Sequence, residues 1–177
     1  MVLEEKTISS EIVYRGPVFD VRKHLVETPG GKTTRDVVEH NGGSIMLAVT
    51  DEGKILMERQ FRKPLERIVL ELPAGKIDPG EDALVTAIRE LEEETGYKAG
   101  DVKHLISYNP TCGYSNETLH IYLCRELSPG RKNWDDTEYL EIEEYEADEI
   151  IDMIKDKKIK DSKTIVGILF ARLIGEI

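Results

Sequence analysis

The chain is short of cysteine, of positive charge and of long apolar runs, and each shortage removes a class of protein. Its two cysteines, Cys112 and Cys124, are too few for a disulfide framework and lack the spacing of paired metal ligands. No run of about 18 apolar residues occurs, so no membrane span and no membrane partner are expected. The opening stretch MVLEEKTISSEIVYRG carries acidic side chains where a secretory signal has a basic start and an apolar segment. No export signal is read there, and the expected address is cytoplasmic. Lys and Arg number 24 against 35 Asp and Glu, a formal charge of -11. That balance works against a nucleic-acid partner, whose binding rests on cations that neutralise phosphates. Small phosphorylated ligands stay open if a metal supplies the positive charge. His24, His40, His104 and His120 are scattered without ligand spacing, and His120 lies inside an apolar segment where a structural role is expected. With no Ser-His-Asp order, P-loop or paired-cysteine motif, covalent nucleophilic catalysis has no support.

What is present is a patterned chain of 177 residues, 40% hydrophobic and 33% charged, enough for one main domain and a small appendage. Period-two alternation up to residue 39, broken by a TPGGK turn, predicts an N-terminal antiparallel β unit over 1–40, ahead of a main domain over 41–177. SIMLAVT and KILMERQF flank the hairpin signal Asp51-Glu52-Gly53, and IVLELPAG supplies another strand. Helix is expected over 82–95 and strand over 104–108, 118–127 and 139–145. Two closing helices are expected over 148–157 and from Ser162, as cap, to a stop at Gly175. Strands and helices mix without regular βαβ alternation, which predicts the α+β class with a mixed sheet.

The stretch GKIDPGEDALVTAIRELEEETGY, from Gly75 to Tyr97, poses a problem of charge. It ends a helix on carboxylates, where the macrodipole is negative, and sets Glu90 and Glu94 one turn apart, where like charges repel. A wheel at about 100° per residue places Leu84, Ala87, Ile88 and Leu91 on the stripe expected to face the sheet. Glu90 and Glu94 fall at the edge of that stripe with Glu93 beside them, and Glu92 points away. Carboxylates crowded at a half-buried boundary either keep a proton or hold a cation. A hard ion such as Mg²⁺ takes oxygen ligands and retains waters, which suits carboxylates one turn apart. Arg89 is placed to pair with Glu93, Asp78 and Glu81 to serve the helix N-terminus, and the Ala74 carbonyl to approach the same ion. A solvated acidic face is the competing reading of such a run.

Gly75, Glu81 and Arg89-Glu90-Leu91-Glu92-Glu93-Glu94-Thr95-Gly96-Tyr97 match every position of the Nudix box, and the chain resembles that family. The resemblance implies an α/β/α sandwich and a hydrolase of nucleoside diphosphates linked to another moiety, using two or three Mg²⁺ ions, with Mn²⁺ as the alternative. It implies Ala74, Glu90, Glu94 and Glu138 as the metal set, Glu93, Glu94 and Asp136 as catalytic carboxylates, and Glu81 as structural. Asp136 would act on the attacking water, with Asp135 and Glu93 as competitors for that role. Arg35-Asp36-Val37-Val38-Glu39-His40, Arg59-Gln60-Phe61-Arg62-Lys63-Pro64 and Leu70-Glu71-Leu72-Pro73-Ala74-Gly75 resemble the ADP-ribose pyrophosphatase branch. That likeness implies that Arg62 binds phosphate. It further implies that Arg35 and an aromatic near Phe19 reach the neighbouring subunit's substrate in a homodimer with exchanged N-terminal units. Ser115-Asn116-Glu117 matches the branch's Ser/Thr-x-Glu element at the substrate. The expected reaction is hydrolysis of ADP-ribose to AMP and ribose 5-phosphate. Cys112 stands where the branch carries a proline, which keeps open another nucleoside diphosphate sugar, of GDP-mannose or UDP-sugar type; a non-catalytic nucleotide-binding module is the third alternative. Trp134 and Cys124 are expected in the core and Cys112 in a loop.

Overall fold

Alternating polar and apolar residues build three antiparallel strands, β1 (Lys6–Arg15), β2 (Asp20–Thr28) and β3 (Gly31–Glu39), into an N-terminal sheet of order 1-2-3. The computed structural model describes residues 4–134 and 139–177, so Asp135, Asp136 and Glu138 lie outside the described residues. Pro29 and Gly30 turn β2 into β3, whose register runs from Thr28 opposite Gly31 to Asp20 opposite Glu39. The sheet belongs to a compact unit formed by Met1–Gly42 and Asn109–Thr118. Within it the Val38 amide donates to the Tyr114 carbonyl at 2.8 Å and the Asn116 amide to the Val38 carbonyl at 3.2 Å.

The second unit, Gly43–Tyr108 with Leu119–Ile177, holds the remaining elements. These are β4 (Gly43–Ala48), β5 (Ile55–Arg62), β6 (Arg67–Glu71), β7 (Ala74–Lys76), α1 (Ala83–Glu90), β8 (Tyr97–Tyr108), β9 (Leu119–Pro129), β10 (Leu140–Tyr145), α2 (Ala147–Lys155) and α3 (Ser162–Leu173). A mixed sheet runs β7-β4-β9-β8 with β4 and β9 parallel, and an antiparallel sheet runs β10-β5-β6. β4 is buried along its whole length, which is why GSIMLA reads as a continuous apolar run. Its alternate side chains serve two cores. Ile45 and Leu47 join Ile150 of α2 and Ile168 of α3, whereas Met46 and Ala48 join Ala87 of α1 and Leu91. A strand period of two therefore puts helices on both faces, the expected α/β/α layering. Each fully buried Ile or Leu contributes about 1.5–3 kcal/mol to that arrangement.

Three local expectations change. Asp51-Glu52-Gly53 forms a turn, yet among the described residues β4 and β5 share only the bridge Val49–Ile55 before they diverge into separate sheets. A turn signal reports local backbone, not a strand's partners. β8 starts at Tyr97 and pairs with β9 along its length; as an edge strand with few buried side chains it has a weak hydrophobic period. Asp161 rather than Ser162 caps α3, its carboxylate accepting from the Thr164 amide at 2.9 Å. Among the described residues no helix is long and apolar enough to cross a membrane.

Candidate active site

α1 starts at Asp82, whose carboxylate accepts from the Leu84 amide at 2.9 Å, so Asp82, not Asp78 or Glu81, serves the helix N-terminus. Regular α winding stops at Glu90. Leu91–Thr95 form one wider π-helical turn, closed by Gly96 in the left-handed region at φ 78°, where glycine carries no steric cost. Such turns are frequent at functional sites. The face that meets the sheet comprises Thr86, Ala87, Leu91, Glu94 and Thr95. Leu84 and Ile88, expected on that face, are 39% and 47% exposed. The small side chains at 86 and 87 take the contact instead, and Glu94 is carried inward.

Arg89 gathers three carboxylates. Its Nε and Nη2 donate to Glu81 at 3.1 and 2.9 Å, and its Nη1 donates to Glu90 at 2.8 Å and Glu93 at 3.0 Å. A planar fork with five donors suits this task; a lysine would not. The Arg89 guanidinium, with help from the Thr86 hydroxyl at 2.8 Å, pulls the Glu81 carboxyl down to about 2. Burial opposes the Arg89 charge, but its bond to Glu81 is the largest influence and raises its pKa. Glu92 points away and accepts from the Arg131 amide at 3.2 Å.

Glu90 has a seat that only glycine permits. A Cβ at Gly75 of β7 would stand 2.0 Å from the Glu90 Cγ and Cδ and 2.3 Å from Oε1. Ala74, one residue earlier, is paired with Ile45 of β4.

A second charged group joins the two sheet-borne glutamates to α3. Glu58 of β5 and Glu71 of β6 are directly opposite in register and are 0% and 2% exposed. Glu71 accepts from Arg62 at 2.6 Å and from the Lys163 Nζ at 2.6 Å. Both Glu58 carboxylate oxygens are buried and have no hydrogen-bond partner among the described residues. Burial first, then the charges of Glu94 and Glu71, push the Glu58 pKa well above the usual carboxylate range, against a smaller pull from Lys163 and Arg62. Arg62 and Lys163 also line a cavity of about 400 Å³ with Arg67, Lys158 and Lys160, walled on its apolar side by Pro64, Leu65 and Ile68. In a chain of net charge -11, five cations line this one cavity together with two carboxylates, Glu71 and Asp161, which leaves it locally positive.

Of the residues singled out in the sequence, Arg62, Ala74, Glu90, Glu93 and Glu94 belong to the second unit, and Phe19, Arg35, Ser115 and Glu117 to the first. Glu90 and Glu93 meet on Arg89. Phe19 lies in the β1–β2 connection, its ring centroid 5.9 Å from that of Tyr14. Arg35 donates to both oxygens of Glu5 at 2.7 and 3.0 Å. The Ser115 Oγ accepts from the Glu117 amide at 3.1 Å, and Glu117 is 3.5 Å from His40 Nδ1. Asp136 and Glu138 fall outside the described residues, and among those described no three His, Cys, Asp or Glu side chains gather closely enough to hold a metal ion. Trp134 is not a core residue. It is 37% exposed, and its indole Nε1 donates to the Glu94 carbonyl at 2.8 Å. Cys124 is buried, which pushes its thiol up to about 12, and Cys112 is exposed. Glu58, Glu71 and Lys163 went unread as site residues. The one sequence signal was a glutamate interrupting the apolar β5 run; the Glu71–Lys163 pair spans 92 residues and has no local signature.

Comparison with known proteins places the chain among its relatives. The NUDIX domain profile matches residues 40–166, and that of the nucleoside diphosphate sugar hydrolase N-terminal domain matches residues 5–38. An ADP-ribose pyrophosphatase of Bacillus subtilis (strain 168) is 41% identical over 174 residues, covering 97% of this chain and 94% of that protein. A methanol dehydrogenase activator of Bacillus methanolicus is also 41% identical, over 175 residues, with 97% and 95% covered. The crystal structure of an ADP compounds hydrolase matches with a TM-score of 0.86 at 22% identity, covering 99% of this chain and 97% of that one, a likeness of fold.

Proposed function

Because this chain belongs to the Nudix family, we propose that it hydrolyses the diphosphate linkage of ADP-ribose, yielding AMP and ribose 5-phosphate. The observation that carries the reading is the seat of Glu90. Its carboxylate is gripped by Arg89 at 2.8 Å and admitted only because Gly75 has no side chain. A helix under no functional demand has no use for such a carboxylate beside two others.

The residues fit a hard divalent cation. The donors are all oxygen, the carboxylates outnumber the cation beside them, and Glu58 is a buried carboxyl with no hydrogen-bond partner among the described residues. Glu90 and Glu94, with the Ala74 carbonyl and Glu138, would hold Mg²⁺ or, alternatively, Mn²⁺, as two or three ions. When bound, such ions neutralise diphosphate oxygens and make water more acidic. The chain's own groups do the rest. Arg89 orients Glu90 and Glu93, and Trp134 fixes the backbone at Glu94. Arg62, steadied by Glu71 at 2.6 Å, offers its remaining N–H groups to phosphate oxygens, and Lys163 adds a second charge. Asp136, or Glu93 in its place, would accept a proton from the attacking water. Water oxygen bonds to one phosphorus, the bridging P–O bond breaks, and the displaced phosphate leaves with its oxygen.

The proposal includes a cytoplasmic homodimer that exchanges N-terminal units, so that Phe19 and Arg35 serve the other copy's substrate. The exposed apolar side chains Ile8, Val13, Tyr14, Val18 and Phe19 support a partner surface on that unit. Cys112, at the place of the branch's proline, favours a second reading, another nucleoside diphosphate sugar as the preferred substrate. Turnover of ADP-ribose, GDP-mannose and UDP-glucose with Mg²⁺ separates the two. ADP-ribose as the best substrate is expected, and ADP-ribose as the poorest overturns the first reading. Glu94→Gln is expected to lower kcat/KM about 100-fold; equal activity overturns its role.

A further inference from the structure

The end of the β5–β6 hairpin sets positive charges against one another. Arg62 and Arg67 stand directly opposite in register across the two strands, and like charges so placed destabilise a sheet. Arg62 is held by Glu71 at 2.6 Å, whereas the side chains of Arg67 and Lys160 have no hydrogen-bond or ion-pair partner among the described residues. Lys160 follows Ile159, which is buried in the core with Ile150 and Ile168. The Lys158 and Ile159 amides donate to the Met153 carbonyl at 2.9 and 3.2 Å, so the backbone that presents the two lysines is fixed.

These residues line the cavity of about 400 Å³ described above, a volume within the small-molecule range of about 300–1,000 Å³. Its two carboxylates are already engaged. Glu71 accepts from Arg62 and Lys163, and Asp161 accepts from the Thr164 amide and hydroxyl and lies 3.2 Å from Lys163. Lys158 reaches only the exposed Asp156 at 3.0 Å, a pair that solvent screens. Arg67 and Lys160 are therefore left uncompensated. Part of the lining is apolar: Pro64 and Leu65 come from the 3-10 turn Lys63–Leu65 and Ile68 from β6, with Leu65 55% and Ile68 63% exposed.

We propose that this cavity binds a nucleoside monophosphate, its phosphate on Arg67 and Lys160 and its base against Pro64, Leu65 and Ile68. A guanidinium fork takes two phosphate oxygens at once, and an ammonium adds a point charge. The apolar lining favours a phosphate that carries a flat body over a bare anion. An anion there also relieves the opposition of Arg62 and Arg67. The nucleotide is a ligand additional to the substrate proposed above; no residue between Gly75 and Tyr97 lines the cavity, and the site stands or falls without the diphosphate reading.

The test is calorimetric titration of AMP, adenosine and inorganic phosphate into the intact chain, in a chelating buffer that strips divalent cations. AMP is expected to bind about 10-fold or more tightly than either of the others, and more weakly as salt is raised. Arg67→Gln and Lys160→Gln are each expected to weaken AMP about 10-fold. Leu65→Ser should narrow the gap between AMP and phosphate, and Lys32→Gln, on exposed β3 surface, should change nothing. Arg67→Gln is also expected to raise the Tm of the ligand-free protein, by removing the charge opposite Arg62, and to shrink the Tm increment that AMP produces. With Mg²⁺, KM and kcat for ADP-ribose should stay within about twofold of wild type in both variants. No AMP binding by wild type overturns the proposal, and so does AMP affinity unchanged in both variants, which would place the nucleotide elsewhere. Inorganic phosphate binding as tightly as AMP overturns it too, as the mark of a bare cationic patch. A KM for ADP-ribose raised about 10-fold in both variants would make the cavity part of the substrate site and overturn a separate ligand. A wild type that binds AMP as described yet does not hydrolyse ADP-ribose leaves this site standing and removes the diphosphate reading instead.

Discussion

Replacing Gly75 by alanine separates the site from the fold. Gly75 does not have positive φ, so its backbone accepts alanine, and the smaller entropy of the unfolded chain favours the variant by about 0.4–1 kcal/mol. The added methyl would stand 2.0 Å from two carbons of Glu90, whereas carbon atoms rest at about 3.5–4.0 Å. Glu90 must therefore retreat by roughly 1.5 Å or more. It then leaves its 2.8 Å bond to Arg89; the two side chains are 16% and 32% exposed, so solvent screening holds that loss to about 1 kcal/mol. A forced rotamer adds about 0.5–1.5 kcal/mol. The net loss of stability is about 1 kcal/mol, a fall in Tm of about 2–4 °C for a chain of this size. Activity responds on another scale, because a reacting group misplaced by about 1 Å costs on the order of 100-fold. Steady-state hydrolysis of ADP-ribose alongside calorimetric unfolding checks both halves. The expected outcome is a folded protein whose kcat/KM has fallen about 100-fold, near 2.7 kcal/mol of transition-state stabilisation. A variant with kcat/KM within threefold of wild type would refute the reasoning, since Glu90 would then need no fixed place.

Two further outcomes follow from the ion pairs. Glu81 is held at about 2 in the fold against 4.5 when unperturbed, a lowered value. The stability it contributes is therefore present above about 4.5 and lost as pH falls towards about 2. Calorimetric Tm profiles of wild type and Glu81→Gln should differ near neutrality and converge across that window; a gap independent of pH would contradict the assignment. Lys163→Met leaves Glu71, at 2% side-chain exposure, without its 2.6 Å partner on α3. Breaking a buried pair from one side costs about 3–5 kcal/mol, so the denaturant midpoint should fall steeply, and a loss below about 1 kcal/mol would show that Arg62 alone satisfies Glu71.

Much of the site was legible because its chemistry is local. Arg89, Glu90 and Glu93 lie within five residues on one helix, so the spacing that puts them one turn apart is written in order along the chain. Gly75 and Glu81 precede that helix in the same continuous segment. The Trp134 expectation failed for the opposite reason: an indole reads as core on size, and only the fold brings its N–H to the Glu94 carbonyl. The exposed Leu84 and Ile88 show the same limit, since a helical wheel fixes which residues share a face but not how closely the helix approaches the sheet or where its winding changes.

Period and spacing by themselves determined the N-terminal antiparallel unit, the apolar run of β4, and the carboxylate run with its arginine, because each depends on neighbours a few bonds away. Tertiary structure alone decided that β4 and β5 part into different sheets, that Glu71 meets Lys163 across 92 residues, and that Glu58 is enclosed with no hydrogen-bond partner among the described residues. Those outcomes depend on which surfaces exclude water when distant segments pack, and desolvation is a property of the assembled fold that no stretch of chain carries alone.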